Sequence, residues 1–365
     1  MKRIIKKVAV LGSGVMGSRI ACHFANIGVQ VLLLDIVPKE LTPEEEKKGL
    51  TLESKQVRNR IVNSSLEAAI KSNPSPLYRK DDARLIKTGN FEDNMKDIAT
   101  ADWTIEVVVE NLKIKKLVYD QVEQYRKPGT LISSNTSGIP IHMMLDGRSD
   151  DFKKHFCGTH FFNPPRYLKL LEIIPTPETS KEVVDFLMHY GDLYLGKTTV
   201  LAKDTPAFIA NRVGIYGIMQ TLKAMEKTGL TIDEVDKITG PIVGRPKSAT
   251  FRTLDVVGLD TTVNVANGLY QAGEKDESRD LFKIPGYVQQ MVENKWLGDK
   301  TGQGFYKKTK DAKGKTEILT LDLNTMEYGP KQKVKFQSLE ALKPIDDLKK
   351  RIKAFSQQKD KAAQF

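Results

Sequence analysis

Short apolar runs alternate with stretches of helical periodicity through the first 200 residues. "KVAVLG", "VQVLLLD", "RLIKTG", "WTIEVVV", "TLISSN", "CGTHFFN", "KLLEIIP" and "KTTVLA" read as strands. Strands that alternate with helical patterns in this way are those of a parallel α/β sheet. Between the second and third runs, "PKELTPEEEKKGLTLESKQVRNRIVNSSLEAAIKSNPSP" is too long and too charged for a plain loop. Its Thr-Pro-Glu-Glu start has the chemistry of a helix N-terminus, so a helical excursion is expected. From "KDTPAFIANRVGIYGIMQTLKAMEK" onward the period is helical, with Thr-Pro read as the first turn, and helices are expected to about residue 298. After "KTGQGFYKK" the pattern predicts a small hairpin around Asn324 and then a charged helical segment. The final residues show no capping element, which suggests a solvated tail or a piece of a longer chain.

The turn after the first strand carries the first sign of chemistry. In "VAVLGSGVMGSRIACHFANIGVQVLLLD", Gly12, Gly14 and Gly17 stand between a strand and a helix, and Asp35 closes the next strand 18 residues beyond Gly17. Gly12 permits a tight turn, Gly14 lets backbone approach a pyrophosphate, and Gly17 lets the helix pack closely while its N-terminus favours negative charge. Gly12, Ser13, Gly14, Val15, Met16 and Gly17 are the candidate dinucleotide cradle. Asp35 can accept from both ribose hydroxyls and would repel a 2′-phosphate, which selects NAD over NADP. FAD, another nucleotide or a degenerate site are the competing readings. The fold class is therefore α/β, a Rossmann-type, largely parallel sheet followed by an all-helical C-terminal domain. The boundaries are an NAD-binding domain at 1–200, a helical domain at 201–306, and a hairpin with a basic helical extension or linker at 307–365.

Composition narrows the class. With 40% hydrophobic and 28% charged residues in 365, the chain is not disordered throughout. "MKRIIKKVAVLG" mimics a signal peptide, but its apolar run is short and broken by glycines. No run approaches the roughly 18 apolar residues of a membrane span, so no membrane insertion is expected. Cys22 and Cys157 are the only cysteines, which excludes a disulfide framework and suits a reducing cytosol, hence a cytoplasmic protein. Cys157 and His160 form an isolated Cys-x-x-His with no second ligand pair, so no metal is expected. Of the net charge of +11, residues 307–365 supply +7 through 15 Lys/Arg against 8 Asp/Glu. That basic tail reads as a solvated face, without the base-reading groups of a nucleic-acid binder. A polyanionic small ligand remains compatible.

The stretch "GTHFFNPPRYLKLLEIIP" raises a sharper question, because His160 and Glu172 sit in an otherwise apolar and aromatic segment. Two adjacent strands joined through "PPRY" would bring the two side chains face to face. A satisfied core histidine, with Glu172 paired to Lys169, is the competing account. Ser137 in "SNTSG" reads equally as a turn serine, and Asn211 in "IANR" as a helix asparagine in need of a partner.

Seven motifs in order, "GSGVMG", "VVVENLKIKK", "SSNTSG", "GTHFFNPPRYLKLLEIIP", "KDTPAFIANR", "LDVVGLDTT" and "KTGQGFY", resemble the motif set of the L-3-hydroxyacyl-CoA dehydrogenases of fatty-acid β-oxidation. The resemblance spans nearly all of residues 4–307. "VLLLDIVPKELTPEEEKKGLT" and "GRPKSATFRTLDVVGLDTT" are similar to a bacterial multifunctional type in which the dehydrogenase precedes a second helical repeat and an enoyl-CoA hydratase domain. The chain stops at Phe365 without a hydratase domain, so it is expected to be a fragment or a dehydrogenase-only form. The resemblance implies oxidation of a (3S)-3-hydroxyacyl-CoA by NAD, with His160 as general base and Glu172 as its partner. It also implies substrate contacts by Ser137 and Asn211, and an NAD site that includes Glu110, Lys115, Asn135, Ser137, Asn163 and, more weakly, Lys300. An acyl-CoA is the implied partner, and relatives dimerise through the helical domain, whose surface a second repeat would cover in the longer type. Lys55, Arg58 and Arg60 lie in the segment implied to contact CoA, and a solvated helix face explains them as well. Arg19 departs from the family, standing where a small residue is usual.

Two other functions compete. One is a dehydrogenase of a free hydroxy acid, in which Arg166 would hold the carboxylate in place of CoA contacts. The other is a noncatalytic NAD-binding protein, which would not require Ser137, His160, Glu172 and Asn211 together.

Overall fold

A computed structural model describes residues 3–311 and 314–365, in two compact units, Met1–Ile209 and Ala210–Phe365. In the first unit all eight predicted strands form: β1 Lys7–Leu11, β2 Gln30–Asp35, β3 Ile86–Asn90, β4 Trp103–Glu106, β5 Leu131–Ser134, β6 Phe156–Phe161, β7 Leu170–Ile174 and β8 Thr198–Leu201. They make one sheet in the order β3-β2-β1-β4-β5-β6-β7-β8. Every neighbouring pair is parallel except β6 and β7, which run antiparallel. A short link joins β6 to β7, and a link too short for a crossover helix permits only the antiparallel pairing.

The apolar runs form strands because both faces of the sheet are covered. On one face Val8, Val10, Val31, Leu33 and Trp103 pack beneath helix α1, Val15–Asn26, with Phe24 meeting the Trp103 ring edge-on at 5.4 Å. On the other, Ala9, Leu11, Leu32 and Leu34 share a cluster with Tyr119, Phe152 and Phe156. The expected helical excursion comprises α2 Pro43–Lys47, α3 Lys55–Arg58 and α4 Arg60–Lys71, and Thr42 and Glu45 form a reciprocal capping box at the start of α2.

One helix start differs from the expectation. Thr205 and Pro206 precede the Ala210–Thr228 helix, because Ala207 and Phe208 adopt φ of 59° and 52°, which no right-handed helix accepts. Asp204 instead accepts the Ile141 and His142 amides, tying this turn to the loop behind β5.

The second unit is helical up to the Gly286–Glu293 helix and its following turns. It ends in a three-stranded antiparallel sheet, β9 Tyr306–Lys310, β10 Thr316–Asp322 and β11 Glu327–Pro330, whose β10–β11 hairpin turns about Asn324 as predicted. The buried Asp255 carboxylate accepts the Phe305 and Tyr306 amides, both at 2.8 Å, and so fixes the Phe251–Val257 helix to the start of β9. The chain end is capped after all: Asp360 accepts the Ala363 and Ser338 amides.

Candidate active site

The glycine turn lies at the C-terminal end of β1, where the chain leaves for β2 on one side and β4 pairs on the other; open α/β sheets receive ligands at such a switch point. Gly12 has φ of 105°, and a Cβ at Gly17 would stand 1.8 Å from the Gly12 carbonyl oxygen. Helix and turn can therefore meet only if residue 17 is glycine. At Gly14 a Cβ would meet no atom within 4 Å, so the turn is open on that side, and α1 begins there without a side-chain cap. Uncapped N–H groups at a helix start, beside an open backbone, suit a diphosphate. Val15 is exposed and Met16 half-buried in that first turn. The Ser13 amide and hydroxyl both donate to Asp35 at 2.5 Å, which holds the carboxylate at the rim of the turn. The residues present thus fit a dinucleotide with free ribose hydroxyls.

A second polar cluster joins the loops after β4 and β5. Lys115 is buried and bridges two carboxylates, Glu106 at 2.7 Å and Glu110 at 3.2 Å. Glu106 also accepts from Tyr119 Oη at 3.0 Å and Ser134 Oγ at 2.6 Å. Glu110 accepts from Thr136 Oγ1 at 2.5 Å and from the Ser137 and Gly138 amides at 3.0 and 3.1 Å. Burial would raise the Glu110 carboxyl, but Lys115 and these donors outweigh it and hold it below the ordinary carboxylate range. The loop that presents Ser137 is thus clamped by an ionised Glu110. Asn135 ties the next strand in, its Oδ1 accepting the Phe161 amide at 2.9 Å.

His160 and Glu172 are register partners across β6 and β7. His160 is 5% exposed, and its Nδ1 lies 2.7 Å from Oε2 of the fully buried Glu172. A carboxylate can only accept, so Nδ1 carries the proton, and in the neutral ring Nε2 keeps its lone pair. The other carboxylate oxygen accepts the Ile209 amide at 3.0 Å. The imidazole is walled by Phe162 and Phe208, with ring centroids at 4.4 and 5.7 Å. The left-handed conformation of Phe208 brings its ring to that wall. Cys157 and His160, an odd number of positions apart on one strand, point to opposite faces, so they cannot chelate one ion. Burial in the core pushes the Cys157 thiol far up.

The remaining candidates divide. Asn163 follows β6 and accepts from Arg19 at 2.7 Å, so the residue that departs from the family reaches a site residue. Arg58 is held by Glu53, Glu92 and Asp93, and Arg60 by Glu45 and the Glu40 carbonyl, whereas Lys55 is exposed. Arg166 donates to the Ser75 and Leu77 carbonyls at 2.7 and 2.6 Å and stacks over Tyr78 at 4.4 Å, so its guanidinium braces a loop. Asn211 and Lys300 belong to the second unit, Asn211 in the first turn of the Ala210–Thr228 helix and Lys300 in an ion pair with Asp260. Sequence reasoning missed Glu106, although a second glutamate four residues before Glu110 and nine before Lys115 was a readable sign.

Residues 7–205 match the family model described as 3-hydroxyacyl-CoA dehydrogenase, NAD binding domain, and residues 208–308 match 3-hydroxyacyl-CoA dehydrogenase, C-terminal domain. A Bacillus subtilis protein named "Probable 3-hydroxyacyl-CoA dehydrogenase" is 53% identical over 365 residues, covering 100% of this chain and 46% of that protein. A Deinococcus radiodurans protein of the same name is 46% identical over 316 residues, 87% of this chain and 86% of the relative. The crystal structure of (S)-3-hydroxybutyryl-CoA dehydrogenase PaaH1 from Ralstonia eutropha superposes with a TM-score of 0.65 at 27% identity, covering 82% of this chain and 98% of that one. This chain therefore spans less than half of the Bacillus relative and most of the Deinococcus one.

Proposed function

Because the chain belongs to the 3-hydroxyacyl-CoA dehydrogenase family, we propose that it oxidises a (3S)-3-hydroxyacyl-CoA to the 3-oxoacyl-CoA, with NAD as oxidant, in fatty-acid oxidation. The observation that carries this reading is the 2.7 Å contact between His160 Nδ1 and Glu172. It presents Nε2 as the base that takes the proton from the C3 hydroxyl, and Glu172 stabilises the imidazolium that results. NAD, when bound at the glycine turn, supplies the acceptor for the hydride leaving C3. Ser137, on the loop clamped by Glu110, donates to the substrate oxygen as it becomes a carbonyl, which favours the polarised state. By its family position Asn211 does the same. Glu110, Lys115, Asn135 and Asn163 order the loops around the cofactor, and Lys300 is assigned to it only by position. The Asp35 carboxylate selects the unphosphorylated ribose.

The free-acid reading loses its candidate, since the Arg166 guanidinium is taken up by two carbonyls and a ring. A purely noncatalytic NAD protein has no use for a buried imidazole oriented by a carboxylate. No helix among the described residues is long and apolar enough to cross a membrane. We place the protein in the cytoplasm on its two buried free cysteines. It acts as a dimer or, within a longer polypeptide, beside a second repeat and a hydratase. The test is NADH formation with 3-hydroxybutyryl-CoA and with free 3-hydroxybutyrate, for wild type and His160→Gln. Turnover is expected on the thioester and not on the free acid, and it should fall by about 10²- to 10⁴-fold in His160→Gln; oxidation confined to the free acid overturns the reading.

A further inference from the structure

A cavity of about 1240 Å³ is lined only by residues of the second unit, from Asp233 to Lys343. That exceeds the roughly 300–1,000 Å³ of an ordinary small-molecule cleft, so it suits an extended ligand. Its walls are basic in an uneven way. The carboxylates are already engaged: Asp233 by the Gln332 amide, Asp236 by three amides and Tyr306 Oη, Asp299 by Arg252 and Glu340 by Lys343. Lys237, Lys247, Lys308, Lys333 and Lys335 line the same cavity as exposed side chains with no ion pair within 4 Å among the described residues, and of the five only Lys237 and Lys335 act on a lining carboxylate, Glu340, at longer range. They come from separate parts of the unit: the Ile232–Ile238 helix, the loop after it, β9 and the segment following β11. Converging like charges repel one another, and an anion of several charges relieves that repulsion at all of them together. Between the lysines the lining is apolar, with Ile242, Ile318 and Leu339, and Lys331 stands over the Tyr306 ring at 4.6 Å.

We propose that this cavity binds an adenine nucleotide carrying more than one phosphate, the chemistry shared by ADP and the 3′-phospho-ADP head of coenzyme A. The phosphates lie among the lysines, and the base lies on the Ile242, Ile318 and Leu339 patch. The site uses none of the residues assigned to the reaction, and the inference does not rest on the proposed activity.

The test is calorimetric titration of the full chain with coenzyme A, and separately with ADP, in saturating NAD and low salt. Wild type is expected to show a binding event that weakens at least tenfold in Lys333→Glu/Lys335→Glu, while NAD affinity stays unchanged. The same reversal at the exposed Lys349 and Lys350, which do not line the cavity, is the control and should leave the event in place. ADP binding without a preference for coenzyme A assigns the site to nucleotides at large, and tighter binding of coenzyme A assigns it to the 3′-phosphate and pantetheine arm. Wild-type titrations in the cavity variant overturn the proposal, as does equal weakening in the control. Binding of poly-glutamate but of neither nucleotide also overturns it, in favour of an acidic protein segment. Because the readout is binding, an enzyme inactive on every hydroxyacyl-CoA leaves the result intact.

Discussion

The two units each bury carboxylates, and they use them for opposite ends. In the first, Glu172 faces an imidazole and Glu106 faces an ammonium, so each orients a side chain that can exchange or hold a proton. In the second, Asp255 faces backbone amides alone, and Asp236 faces three amides together with Tyr306 Oη. Asp255 joins a helix to the start of β9, and Asp236 gathers the Thr250, Phe251 and Arg252 amides at the beginning of that same helix. A carboxylate that accepts only backbone N–H groups fixes the path of the chain. One aimed at a titratable side chain fixes a protonation state, and burial by itself does not distinguish the two.

The largest effect expected from breaking this contrast is on turnover. His160→Gln should lower kcat by about 10²- to 10⁴-fold with NAD affinity nearly unchanged. Glu172→Gln should fall in the same range, because an amide can donate to Nδ1 and stabilise the wrong tautomer. Steady-state kinetics beside an NAD-binding isotherm separates loss of chemistry from loss of the cofactor site. A Glu172→Gln enzyme with wild-type kcat would make that carboxylate as structural as those of the second unit.

Asp255→Ala should do the reverse. Two buried amides lose their acceptor at about 1–3 kcal/mol each, so the second unit should unfold at lower denaturant while NAD affinity at the glycine turn is retained. Urea unfolding followed by the tryptophan near β11, Trp296, against that around β4, Trp103, resolves the two units. Equal destabilisation reported by both tryptophans would count against a local tether.

How far this contrast was legible in the sequence depended on distance along the chain. The eight strands were readable from their apolar runs, and the facing of His160 and Glu172 from the short link between β6 and β7. The partners of Asp255, 50 and 51 residues away, were not readable, since nothing in "FRTLDVV" distinguishes a tethering aspartate from a surface one. The Thr-Pro helix start failed because tertiary ties, Asp204 to the loop behind β5 and Phe208 against the imidazole, override the local signal. The clamp on Ser137 needed three segments to meet, β4, its following helix and the loop after β5, and only the fold brings them together.

The smallest expected effects are those of pH, and here the two units should diverge in sign. In the first, His23 is buried in α1 and its ring nitrogen meets the Leu195 carbonyl at 3.0 Å. Burial, with Lys197 and Arg166 adding to it, lowers its pKa from 6.5 to about 4. The unfolded chain therefore binds more protons across that window, so this contribution is complete above pH 6.5 and is lost as pH falls through 4. In the second, burial raises Asp255 from 3.8 to about 6, against the pull of its two amides. There the folded chain binds more protons, so the contribution is complete below pH 3.8 and is lost as pH rises through 6. Each is worth on the order of 1–3 kcal/mol. Hydrogen-exchange protection, corrected for intrinsic rates, should fall in α1 on acidification from pH 6.5 to 4 and rise at the Phe305 and Tyr306 amides over the same interval. His23→Gln keeps a donor to Leu195 and removes the titration, so the α1 slope should flatten while the Phe305 slope persists. Identical slopes in both units would mean that neither buried group governs its own region.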